Sequence, residues 1–89
     1  MNFTITPPKF QKLEEQLLAS HQVVLTQTSA AGADPAGVMQ STDGKIEANF
    51  SFRPDACLLE VDLTKHEGYP AFIANAGLKS KLDAAIKAL

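Results

Sequence analysis

The chain has 89 residues, 45% of them apolar and 20% charged, with a net charge of −2. That length suits one domain with one core, and the composition excludes wholesale disorder. A slightly acidic chain with no Trp and one Tyr also excludes an electrostatic nucleic-acid binder and an aromatic platform for single strands.

A lone cysteine, Cys57, excludes an internal disulfide and any multi-cysteine metal site. The N-terminus shows no basic region followed by an apolar run, so no secretion signal is expected. No apolar stretch reaches the ~20 residues that span a bilayer. A cytoplasmic protein is expected.

Residues 2–5 predict a short, optional first strand, with Phe3 and Ile5 on one face. Thr6, Pro7 and Pro8 then read as a helix start, because threonine caps free N–H groups and proline is tolerated in the first turn. Ile5 and Phe10 stand at the two positions of a hydrophobic staple. The helix is expected to run to about Ser20 and to bury Phe10, Leu13 and Leu17. His21 to Ser29, with Val23, Val24, Leu25 and its threonines, predicts a strand. Ser29 to Ala36 reads SAAGADPA, a loop expected to be mobile.

Val38 to Thr42 predicts a short strand, and Asp43-Gly44 a two-residue hairpin turn that places Met39 opposite Ala48. Lys45 to Phe52 alternates polar and apolar residues without a fault, the period of a strand with one buried face. With Pro54-Asp55 as the next turn, Phe52 falls opposite Cys57, Phe50 opposite Leu59, Ala48 opposite Val61, and Ile46 opposite Leu63. The apolar faces then coincide.

Residues 64–69 form a polar connection, and Pro70 opens a last helical region. Phe72, Ile73 and Ala76 give one patch there; Leu78, Leu82, Ala85, Ile86 and Leu89 give another. Asn75 and Gly77 predict a break between them, a short turn followed by a longer helix. The whole chain, 1–89, therefore reads as a single α+β domain. It is a two-layer sandwich of order (β)αβββα: an antiparallel sheet of three to four strands, a meander at 38–64, with two helices on one face.

No residue pattern rises to a chemical signature. His21 and His66 lack metal-ligand spacing to each other, and His66-Glu67 is not part of a metalloprotease motif. Cys57, in phase with Leu59 and Val61, is expected in the sheet core. No catalytic residue, metal or cofactor is assigned. On the outer sheet face, the register above sets Glu47 opposite Asp62 and Asn49 opposite Glu60. Like charges directly across a sheet are unfavourable unless something neutralises them. With Arg53 and the apolar Leu58 on the same face, Glu47, Asn49, Arg53, Leu58, Glu60 and Asp62 make a candidate interaction surface.

The expected function is a non-catalytic binding or interaction module. Its expected partner is a second copy of the chain, as a homodimer, or another protein; no nucleic acid and no membrane span are expected. The alternative is a small-molecule or ion binder, or less readily an enzyme, with a site near the 29–36 loop and the 65–77 connection, where His66, Glu67 and Tyr69 supply the polar groups.

The order of elements, with GKIEANF at 44–50, LLEVDL at 58–63 and Pro70 before the last helix, resembles the small bacterial polyhydroxyalkanoate granule-region domains. The likeness covers most of the chain and rests on Gly44, Ile46, Leu59, Val61, Leu63 and Ile86. It implies a non-enzymatic, granule-associated or accessory protein and assigns no functional residue.

Overall fold

A computed structural model describes residues 1–30 and 32–89. The elements are β1 (Asn2–Thr4), α1 (Pro7–His21), β2 (Val23–Gln27), β3 (Ala36–Ser41), β4 (Ile46–Arg53), β5 (Leu58–His66) and α2 (Ala71–Lys87). The strands form one antiparallel sheet in the order β1-β5-β4-β3-β2. The sheet thus has five strands rather than three to four. The optional strand is present as an edge, because Phe3 pairs with Leu59 and the Met1 ammonium donates to the Val61 carbonyl at 2.8 Å. Ala31, in the SAAGADPA loop, lies outside the described residues.

One face of the sheet carries the core. Phe3, Val23, Leu25, Met39, Ala48, Phe50, Phe52, Leu59 and Val61 are buried there against Phe10, Leu13 and Leu17 of α1 and Leu78, Leu82 and Ala85 of α2. Phe10 lies at the centre, with its ring stacked on Phe52 at 4.3 Å and tilted against Phe50 at 6.2 Å. Both helices therefore cover the same face, side by side. Among the described residues, no other element covers the opposite face.

Helix α1 begins as its sequence implies, with one difference. Thr6 holds the N-cap position in extended backbone and proline fills the first turn, but the Thr6 hydroxyl caps nothing. The entry is fixed instead by Ile5 and Phe10, both buried as a staple requires. Gln22 closes the helix in left-handed backbone, φ 56°, donating its N–H to the Leu17 carbonyl. Helix α2 runs unbroken for 17 residues through Asn75 and Gly77. A mid-helix glycine costs about 1 kcal/mol relative to alanine but does not break a helix whose other residues are anchored. Ala74, Leu78, Leu82 and Ala85 supply that anchor at spacings of four and three. The Phe72–Ile73 patch stays at the surface, with Phe72 74% exposed.

The register of the main hairpin is two residues away from the one the turn residues suggest. Phe52 pairs with Leu59, Phe50 with Val61, Ala48 with Leu63 and Ile46 with His66. The reason is the loop. It has four residues, 54–57, closed by Ala56 N–H to Arg53 and Cys57 N–H to Pro54, with Cys57 at φ 49°. Cys57 is therefore a half-buried loop residue, not a member of the strand core. A register shift at Glu47/Ala48 leaves Thr64 as the extra residue of β5, the mark of a bulge. Met39 does face Ala48.

Candidate functional site

The sandwich is not closed at both ends. At the end where β3 turns into β4, the first half of α2 stands away from the sheet and leaves a cleft of about 250 Å³. Its floor is apolar, made by Val23, Met39, Ile46 and Ala48 from the strands and by Ala74 and Leu78 from the helix. The alternation of strand residues puts Met39 and Ala48 on this floor, since the same parity that buries Phe50 points them toward α2. Gly77 lines the helical wall, and a Cβ built there meets nothing within 4 Å. Residue 77 itself puts no side chain into that space.

The rim is polar and carries both signs of charge. Ser41 and Asp43 stand on the hairpin side, Lys81 on the helix side, and Tyr69 at the entrance. Asp43 is held in place by its own turn. Gly44 N–H donates to the Ser41 carbonyl at 2.9 Å, and Gly44 takes φ 75°, a conformation that favours glycine. Asp43 Oδ1 then accepts from the Ser41 hydroxyl and from the Lys45 N–H at 3.0 Å. The Ser41 hydroxyl in turn accepts the Ile46 N–H at 3.1 Å. The Ser41 hydroxyl first, then the Lys45 N–H, hold the Asp43 carboxyl below its usual range, and the charges of Lys45 and Lys81 add to this.

A lowered carboxylate pKa stabilises the turn at pH above the ordinary aspartate range, and that support is lost as pH falls through the lowered value. Protonation of Asp43 is therefore expected to weaken the bond from Lys45. The Lys45 amide resonance should titrate with a midpoint below that of an ordinary aspartate. In Asp43→Asn the same resonance should stay flat through that range, and a midpoint at the ordinary value would remove the turn contacts from the account.

Of the three ligand-site residues expected near the 65–77 connection, the cleft takes only Tyr69. A ring N–H of His66 donates to the Tyr69 carbonyl at 2.8 Å, and Tyr69 N–H returns a bond to the His66 carbonyl. His66 thus locks the turn that delivers Tyr69 and is no part of the lining. Glu67 is exposed beside Lys65 at 3.6 Å. The described residues of the 29–36 loop contribute no lining residue to the cleft.

The outer-face residues do share one face, but their charges are matched differently from the sequence expectation. Asn49 is opposite Asp62, Ser51 opposite Glu60, and Glu47 opposite Lys65. Arg53, opposite Leu58, reaches Glu60 at 3.8 Å. The two-residue change of register removes the facing carboxylates, so no cation is needed to separate them. Among the described residues, no group of three His, Cys, Asp or Glu could hold a metal ion, and no helix is long and apolar enough to cross a membrane.

Met39, Ala48, Gly77 and Lys81 were not legible as site residues. The first two read as core, Gly77 as a helix break, and Lys81 as one of several solvated lysines. No family model, no curated protein and no solved structure matches this chain.

Proposed function

We propose that the protein is a non-catalytic binding module and that its binding surface is the cleft between α2 and the β3–β4 hairpin. One observation carries this reading: the cleft is concave with an apolar floor and a charged rim, the general form of a ligand site. Its volume lies below the ~300–1,000 Å³ usual for drug-sized ligands, which favours a small molecule over a dinucleotide or other large cofactor. Among the described residues the lining offers no histidine and no cysteine, and its one serine hydroxyl, Ser41, is engaged in the turn, donating to Asp43 and accepting from the Ile46 N–H.

Indole, small, apolar and uncharged, is a direct probe. Saturation transfer from the protein to indole is expected for the wild type and for Leu58→Asp, and to be lost in Gly77→Leu. A Cβ at 77 meets open space beside the cleft and leucine improves helix propensity, so the variant is expected to keep its fold and to fill the cleft. Transfer that persists undiminished in Gly77→Leu would place the binding elsewhere.

Self-association through the outer sheet face is a second reading. What favours it is that, among the described residues, no other element covers this face, while Leu58 and Val24 stand on it among polar residues. On this reading Leu58→Asp converts a dimer to a monomer in light scattering while the fold survives. A wild type that is monomeric at high concentration, or a variant with unchanged mass, removes it.

A further inference from the structure

We infer that the cleft takes a free apolar α-amino acid, such as leucine, as a zwitterion; this deepens the reading of the cleft as the binding site and rests on it. Two opposite charges stand on the rim. Asp43 comes from the hairpin and Lys81 from the opposite wall. The ion pairs among the described residues are Arg53–Glu60 and Lys65–Glu67, so Asp43 and Lys81 do not touch. They are near enough for the Lys81 charge to act on Asp43. A gap with a carboxylate on one side and an ammonium on the other is complementary to a ligand that carries both charges close together.

The geometry of Asp43 supports this. Both of its internal hydrogen bonds fall on Oδ1. That leaves Oδ2 to accept from a ligand ammonium while the carboxyl group stays fixed by Ser41 and Lys45. Lys81, with three rotatable donors on a flexible stem, can follow a carboxylate. Beneath them the floor of Val23, Met39, Ala48 and Leu78 is apolar, and it rewards burial of an aliphatic side chain.

Size and charge spacing exclude neighbouring ligand classes. An internal peptide residue has neither charge, and a peptide terminus has one. A fatty acid would satisfy Lys81 and leave Asp43 facing an apolar chain. An α-amino acid places both charged groups on the carbon that bears the side chain, and about 250 Å³ is space for one such molecule.

Titration calorimetry on the full chain tests this with L-leucine, N-acetyl-L-leucine and L-leucinamide, alongside indole. Leucine is expected to bind. N-acetylation, which removes the ammonium, and amidation, which removes the carboxylate, should each weaken binding about tenfold, the equivalent of one charge-assisted hydrogen bond. Asp43→Asn keeps an acceptor for Ser41 and Lys45, and Lys81→Met keeps the length of the stem, so both variants should fold. Asp43→Asn should erase the difference between leucine and its N-acetyl form, and Lys81→Met the difference between leucine and its amide. Indole binding without leucine binding overturns the zwitterion inference and leaves the cleft reading intact. Equal affinity for N-acetyl-leucine and leucine also overturns it, in favour of a simple apolar acid. Failure of both indole and leucine to bind removes both readings.

Discussion

Replacing Phe52 with alanine is expected to bring the protein to the edge of unfolding. Phe52 is 2% exposed and lies parallel to Phe10 at 4.3 Å, with 8° between the ring planes. It also pairs with Leu59 across the β4–β5 ladder. Truncation of a buried phenylalanine to alanine costs about 3–5 kcal/mol, because the surroundings only partly collapse into the space. At ~0.05–0.15 kcal/mol per residue, a domain of this length has roughly 4–13 kcal/mol in total. The loss is therefore a large share of the whole. Urea unfolding should show a much lower midpoint for Phe52→Ala, and Phe10→Leu with Phe52→Leu should be non-additive, as stacked partners are. A loss below about 1 kcal/mol, small beside that range, would mean that the Phe10–Phe52 stack does not hold α1 to the sheet.

Gly37→Ala is expected to detach β2. A Cβ at Gly37 would stand 1.9 Å from the Thr26 carbonyl oxygen and 2.9 Å from the Gln27 Cα. Both are backbone atoms of the neighbouring strand, and neither can rotate away. Gly37 is paired with Gln27 on one side and Phe50 on the other, so the strain cannot be relieved by moving β3 either. Overpacking of this kind costs about 1–3 kcal/mol, and the backbone clash puts Gly37→Ala at or above the upper end. The damage should be local, because β2 is an edge strand held to the sheet through β3 alone. Hydrogen exchange should accelerate first at Val23–Gln27, while the β4–β5 amides stay protected. A variant within about 0.5 kcal/mol of wild type, the range of a neutral surface change, would show that the close approach of β2 and β3 is unimportant.

The strands and helices were legible because their periodicities are strong. Ile46–Arg53 alternates so regularly that its buried face could be assigned from the sequence, and Phe10, Leu13 and Leu17 announce the buried stripe of α1. What the alternation could not decide was the register. A slip of two residues keeps every side chain on its own face, so Phe52 opposite Cys57 and Phe52 opposite Leu59 satisfy the hydrophobic pattern equally well. The four-residue turn that makes the choice depends on Cys57 adopting left-handed backbone, which nothing in its residue type signals. In the observed register Glu47 faces Lys65 and Asp62 faces Asn49, so the facing pair of Glu47 and Asp62 does not exist.

The cleft was less legible still, for a related reason. Its floor uses the same residue types as the core, and what makes Met39 and Ala48 a site floor is that α2 stands off the sheet above them. The glycine at 77, which reads as a break in the helix, instead sits inside an unbroken one and keeps that wall open. Asp43 was visible as a turn residue. Its place opposite Lys81 depends on how the end of the sheet meets the start of α2, a long-range relation with no local signal.

The most direct test of the cleft as the binding surface is backbone amide shift mapping of the 15N-labelled protein titrated with indole. Saturable shifts clustered at 39–48 and 69–81, from the two walls of the cleft, are expected. Shifts confined to Asn2, Thr4, Leu58, Glu60 and Asp62 on the outer face, or no saturable shift at all, would contradict it.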